Sequence, residues 1–243
     1  FRGGQLEIVP KMLVFSLPFL CEDRTQAERL VNSEFAREIS MDSLKSGATI
    51  LGIGDAGGFR QFSNSVRMIR RPEDLRGLKM RSNGMDTINK TLEALGAEVM
   101  TVPYNDLYMA LKAGTIDGQE NPWVNSSGMR FYEVQKYFTE VNYQFHPEPF
   151  YVNTRWYESL PREYQEILEE CTQEMMKENN RLIDENEVQA MENIRANAEI
   201  YTLSSEERQA FVEATQVVYE EYMENGLLTR DELARMKRII RGE

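Results

Sequence analysis

From Pro161 to Ala198 the chain contains no glycine and, after its first residue, no proline. These are the two residues that most often break a helix. Apolar residues recur along the stretch at Tyr164, Ile167, Leu168, Cys171, Met175, Leu182, Ile183, Met191 and Ile194, and the intervening positions are heavily charged. That periodicity predicts a helix with one thin apolar stripe. As a single helix it covers about 38 residues and about 57 Å, at a rise of ~1.5 Å per residue. A compact chain of 243 residues has a radius of gyration of only about 18 Å. Such a helix must cross the whole molecule, which suits a strut joining two lobes. The alternative is two helices with a break near Asn179-Asn180.

The first half reads differently. A helix is expected over 25–46, with Ala27, Leu30, Val31, Phe35, Ile39 and Leu44 near helical spacing and Gly47 as its stop. Met12 to Leu20 is the most apolar run and reads as a buried strand or turn. Ala48 to Ile53 reads as a short strand leading into a loop, Gly54-Asp55-Ala56-Gly57-Gly58, and Phe59 to Ser63 alternates like another strand. Leu78 to Arg81 and Val99 to Val102 are further strands, alternating with helices at about 85–95 and 106–113. A strand at Glu199 to Leu203 and two capped helices, opening at Ser204 and Thr229, complete the chain. This alternation predicts an α/β fold with parallel strands, in which ligands sit beyond the carboxyl ends of the strands.

The net charge is −12, which argues against nucleic acid and anionic membrane surfaces as partners. An anion would have to be held by a well-placed arginine, not by a diffuse basic field. No apolar run approaches the ~20 residues that span a bilayer. The opening residues Phe1-Arg2-Gly3-Gly4 carry no signal peptide, as in a mature exported chain. Cys21 and Cys171 fit neither a disulfide framework nor a metal-ligand spacing, and read as small buried hydrophobes. No metal site or cofactor is expected. The single histidine, His146, has no nucleophile elbow to serve and reads as a hinge or loop residue.

Arg81 ends a strand ahead of Ser82-Asn83-Gly84. Its guanidinium fork matches a carboxylate bidentately, although local sequence alone favours an ordinary ion pair with one of the many acids; Arg60 carries the same ambiguity. The run Ile116-Asp117-Gly118-Gln119-Glu120-Asn121-Pro122 concentrates polar groups after a helix. Its carboxylates could act as general acid and base, or Asp117 and Glu120 could shape a turn, leaving Asn121 for a ligand and Pro122 to start the next helix. Phe59, Tyr104 and Trp123 could wall a small pocket.

Taken in order, several segments form a recognisable pattern: Leu17-Pro18-Phe19-Leu20, then Arg71-Pro72-Glu73-Asp74-Leu75-Arg76-Gly77-Leu78-Lys79-Met80-Arg81, then Leu95-Gly96-Ala97. Tyr108 to Gly114, Ile116 to Pro122 and Phe131 to Tyr137 continue it. The pattern resembles the extracytoplasmic (periplasmic) solute-binding proteins of TRAP transporters, dicarboxylate-binding (DctP) type, across nearly the whole chain. The resemblance implies a two-lobed, periplasmic-binding-protein-like α/β fold with a long connecting helix, closing on a small organic acid. It implies that Arg81 salt-bridges the ligand carboxylate and that Arg60, Asn121 and Tyr104 line the site. Asn83, Trp123 and Phe59 are further candidate ligand contacts, and Asn125 could serve a hydroxyl, keto or second carboxylate group. Trp123 stands where a smaller aliphatic residue is common, and Ser82-Asn83 where Val-Pro is common.

The implied lobes are 1–57 with 147–186 (lobe I) and 58–146 with 187–243 (lobe II). By the resemblance, roughly a quarter of a typical member, including its first strands, is absent from lobe I, so that first-lobe ligand contacts are not among the residues named. The implied function is capture of a small organic acid in the periplasm by a monomer that delivers it to membrane permease subunits, without catalysis. Two other readings remain: a carboxylate-based hydrolase using Asp117 and Glu120, and a helical interaction protein using residues 161–240.

Overall fold

The computed structural model describes residues 9–243, so Phe1-Arg2-Gly3-Gly4 lie outside the described residues. Among these residues six strands form one mixed sheet: β1 (Ala48–Asn64), β2 (Lys79–Ser82), β3 (Glu98–Thr101), β4 (Gly118–Pro122), β5 (Tyr137–Asn153) and β6 (Glu199–Thr202). Their spatial order is β3-β2-β4-β1-β5-β6. Strand β2 runs parallel to β3 and β4, and β5 parallel to β6, as the alternating pattern predicts. The centre corrects that expectation, because β1 runs antiparallel to both β4 and β5.

The two short strands and glycine loop expected between Ala48 and Ser63 are one strand of 17 residues. Ala56, Gly57 and Gly58 form a bulge within it, where the register slips between Asp55 (opposite Pro147) and Phe59 (opposite Phe145). Asp55 organises the bulge: its Oδ1 accepts the N–H groups of Gly57 at 2.9 Å and Gly58 at 2.6 Å. Gly57 sits at φ 126°, and a Cβ there would lie 2.4 Å from Asn125 Oδ1, so only glycine fits.

The helix expected over 25–46 divides into α1 (Arg24–Val31) and α2 (Glu34–Ser40), followed by a 3-10 turn, Met41–Ser46. The break lies at Asn32-Ser33, because Asn32 Nδ2 bonds back to Glu28 O at 2.9 Å and Ser33 Oγ caps the next helix. The apolar run near the start is a 3-10 segment, Pro10–Ser16, and not a strand. Helices α3 (Asp86–Ala94) and α4 (Leu107–Lys112) follow β2 and β3, and α5 (Trp123–Gly128) leaves β4 directly.

After α6 (Thr154–Ser159) comes α7 (Arg162–Arg195), 34 unbroken residues and about 51 Å long. Asn179 and Asn180 do not interrupt it. Their amides reach outward, to Asp55 O at 2.8 Å and Glu28 Oε1 at 2.7 Å, and tie the helix to β1 and α1. The buried face is Thr172, Met176, Ile183, Ala190 and Ile194. This is offset from the expected stripe, and Tyr164, Ile167, Met175 and Leu182 are exposed. Cys171 is also exposed, correcting its reading as a buried hydrophobe, whereas Cys21 is buried; both are free thiols.

Helices α8 (Ser205–Ala214), α9 (Gln216–Glu224) and α10 (Arg230–Arg241) end the chain. They pack back on its beginning: Tyr219 Oη donates to Pro18 O at 2.7 Å, and Arg235 makes a bidentate pair with Glu38. The larger apolar core joins these helices to residues 9–39, β1 and α3, while a second core gathers Leu107, Leu111, Ile116, Trp123, Phe131, Phe138, Ala190 and Ile194. No helix among the described residues is long and apolar enough to cross a membrane.

Candidate functional site

Arg81 is the third residue of β2, at the carboxyl end of a strand that turns through Ser82-Asn83-Gly84 into α3. The turn holds itself: Ser82 Oγ accepts Gly84 N–H at 2.9 Å and Asn83 Oδ1 accepts Met85 N–H at 3.0 Å. Asn83 is thereby a turn former, half-buried beside Arg81. Arg81 itself is 2% exposed. Its Nε donates to Val102 O at 2.9 Å, and its guanidinium carbon lies 6.0 Å from the Tyr104 ring centroid. Among the described residues it has no carboxylate partner, and its Nη atoms, which bond no described residue, are not sealed from solvent. Burial pulls its pKa down to about 10, with Glu120 opposing and Arg60 adding to the shift, so it stays cationic at neutral pH. A buried cation without a partner is costly unless something pairs with it.

Arg60 has the opposite surroundings. It lies on β1 beside β4, is also 2% exposed, and meets Glu120 through both Nε and Nη2, the latter to Oε1 at 2.8 Å. Nη2 also reaches Glu120 O at 2.8 Å and Asn121 Oδ1 at 3.2 Å, and Nη1 lies 2.6 Å from His146 Nδ1. Tyr143 Oη donates to the same Glu120 carboxylate. Burial works against the Arg60 charge, but Glu120 outweighs it and the pKa is raised. Burial, then Glu120, holds the Tyr143 hydroxyl well above its ordinary value. His146 is pushed down to about 3 by burial and the adjoining Arg60, so its ring is neutral at physiological pH.

The polar run at 117–122 is therefore not a turn. Gly118–Pro122 is a buried central strand, hydrogen-bonded to β1 and β2. Glu120 does not shape a loop; it neutralises Arg60. Asp117 does brace backbone, as one of its expected roles, through a 2.8 Å bond from Lys79 N–H, and Pro122 leads straight into α5. Asn121 is buried, with Oδ1 facing Arg60 and Nδ2 donating to Gln119 Oε1 at 2.5 Å. Gln119 in turn donates to Ser63 Oγ at 2.7 Å, so an amide chain fixes the floor of the site. Neither Asp117 nor Glu120 stands free as an acid or base.

The aromatic candidates separate. Tyr104 is half-buried, edge-on to Phe131, with its hydroxyl 3.5 Å from Asn125 O and its ring facing Arg81. Trp123 is 1% exposed and stacked on Phe138 inside the second core, and Phe59 packs against Phe145 in the first. Both belong to the apolar cores. Arg81, Arg60, Glu120, Asn121 and Tyr104 thus form one neighbourhood, with Asn83 at its margin. Sequence reading missed Tyr143 and His146, which reach the site from β5. The signal was present in the polar residues interleaved with aromatics along that strand. No group of acidic, histidine or cysteine side chains among the described residues is arranged to hold a metal ion.

Comparison with known proteins agrees with this geometry. Residues 4–225 match the model of bacterial extracellular solute-binding protein, family 7. The C4-dicarboxylate-binding periplasmic protein DctP of Vibrio cholerae is 30% identical over 216 residues, which cover 87% of this chain. The chain spans 64% of that relative's length, less than two thirds. A TRAP periplasmic solute-binding protein from Ralstonia eutropha, solved with bound (S)-2-acetolactate, superposes with a TM-score of 0.90 at 30% identity, covering 98% of this chain and 77% of the other. One from Shewanella oneidensis, solved with bound succinate, gives 0.91 at 25% identity, covering 99% and 78%. The likeness extends over the strut helix, the mixed sheet and the strand that carries Arg81, and the chain belongs to bacterial extracellular solute-binding protein family 7.

Proposed function

We propose that the protein is the solute-binding component of a TRAP transporter. It captures a small organic acid between two closing lobes in the periplasm and passes it to membrane permease subunits, acting as a monomer and without chemistry. The observation that carries this reading is Arg81, a buried guanidinium at a strand end with no carboxylate partner among the described residues. A ligand carboxylate supplies the missing partner, with Tyr104 beside it and Asn121 behind it. The acids bound by the Ralstonia and Shewanella proteins, an oxo-hydroxy acid and a dicarboxylic acid, support a ligand of that size and charge.

Closure would pivot where both long strands cross between lobes, at 57/58 on β1 and 146/147 on β5. That places 1–57 with 147–186 in one lobe and 58–146 with 187–243 in the other. The Asp55 bulge sits at this crossing, where Arg24 pairs with Asp55 at 2.5 Å and Asp184 at 2.9 Å, and α7 runs beside it. The C-terminal helices reach back over residues 9–39 and clasp the two lobes together. A thermal-shift screen over organic acids tests the reading: at least one acid raises the melting temperature and is recovered chemically intact. No stabilisation by any acid, or turnover of one, would contradict it.

A further inference from the structure

We infer that His146 orients the ligand, presenting Nε2–H to an acceptor oxygen that the acid carries in addition to the carboxylate held by Arg81. This rests on the solute-binding reading above and adds a specificity-determining residue to it. The starting point is the 2.6 Å contact between Arg60 Nη1 and His146 Nδ1. A guanidinium can only donate, so Nδ1 must accept, and the proton of the neutral ring then sits on Nε2. Arg60 is itself fixed, because Glu120 holds its Nε and Nη2. The tautomer of His146 is thus dictated by Arg60, which Glu120 in turn holds in place.

Among the described residues the Nε2 edge is free. It bonds no described residue, and it is not among the buried polar atoms shut off from solvent. The ring lies deep in the fold, yet part of the residue stays open. Its place on β5, between Phe145 (opposite Phe59) and Pro147 (opposite Asp55), puts it at the bulge where β1 changes register. Arg60 joins it to the Arg81 neighbourhood, since the same Glu120 acts on both arginines.

The chemistry then selects. A fixed N–H donor beside Arg60 welcomes a keto, hydroxyl or second carboxylate oxygen and repels an ammonium group. Among organic acids such a donor favours those that carry a keto, hydroxyl or second carboxyl group over an amino acid or a plain fatty acid. A buried donor left without its acceptor is the stronger source of discrimination.

Because the chain has one histidine, 15N-histidine labelling yields a single imidazole spectrum. The expected result is the Nε2–H tautomer in the free protein, with the Nε2 resonance moving on saturation by 2-oxobutyrate, 2-hydroxybutyrate or succinate. In calorimetric titrations the wild type should prefer the best of these over butyrate by roughly tenfold or more. His146→Phe should erase that preference, and His146→Gln, which keeps a donor, should restore part of it. An Nδ1–H tautomer, an Nε2 resonance unmoved at saturation, or an undiminished preference in His146→Phe overturns the assignment. If acids bind through Arg81 and only the His146 results fail, the solute-binding reading stands. If none of the acids binds, both fall.

Discussion

Arg60 and Arg81 are both 2% exposed, on strands separated in the sheet only by β4, yet they differ in what neutralises them. Arg60 has a bidentate carboxylate, a backbone carbonyl, an amide oxygen and an imidazole around one guanidinium. Arg81 has a single backbone carbonyl and an aromatic face. Burying a charge in low dielectric is tolerated when it is paired, so the first region is complete as it stands and the second is not. A site can hold specificity because its framework is satisfied and only one group is left wanting.

Breaking the closed region should have the largest effect. Glu120→Ala leaves Arg60 buried without its carboxylate and should lower folding stability by about 3–5 kcal/mol, read by denaturant unfolding. A loss below about 1 kcal/mol would mean that Arg60 finds another partner or water. Changing the open region should leave stability nearly alone and alter binding. Arg81→Lys keeps the charge but removes the fork, and should weaken acid binding by about 1–3 kcal/mol by calorimetry. Equal affinity would show that a point charge suffices. Tyr143→Phe removes one donor from Glu120 and should cost about 1–2 kcal/mol of stability, with the affinity change smaller than that of Arg81→Lys.

The pH dependence sharpens the contrast further. His146 titrates near 3 in the fold and near 6.5 in an unfolded chain. Between those values the unfolded chain binds a proton that the folded chain does not. Its stabilising contribution is therefore complete above about pH 6.5 and is lost as the pH falls toward 3, at up to ~1.4 kcal/mol per pH unit. His146→Gln should flatten the stability profile in that window, measured by unfolding at pH 7, 6, 5 and 4. An unchanged slope would place the His146 ring near its ordinary pKa.

How much of this was legible in the sequence depends on the range of the interactions involved. The strut helix was legible because it is local: nothing between Arg162 and Arg195 breaks it. Even there the buried face differed, since Met176 and Ala190 are chosen by what packs against them and not by hydropathy. The place of Arg81 at a strand end was legible because a strand, a turn and a helix announce themselves over ten residues; its lack of a carboxylate partner was not, since local sequence alone favours an ordinary ion pair. Gly118–Pro122 was not: glycine, glutamine, glutamate, asparagine and proline favour turns over strands, and they form a central strand only because each polar group finds a partner from another strand. The roles of Glu120, Tyr143 and His146 exist only through contacts with Arg60, 60, 83 and 86 residues distant in sequence for Glu120, Tyr143 and His146 respectively. For Phe59 and Trp123, composition cannot tell a core ring from a lining one, and their burial in the two cores appears only in the fold.

The central claim is that the unpaired charge of Arg81 is the ligand's anchor. Its most direct test is a thermal-shift screen over organic acids, run on the wild type and on Arg81→Ala in parallel. The wild type should be stabilised by one or a few acids, and Arg81→Ala by none of them. Without ligand, Arg81→Ala should melt at the wild-type temperature or slightly above it, because an unpaired buried charge has been removed. An acid that stabilises both proteins equally would contradict the account.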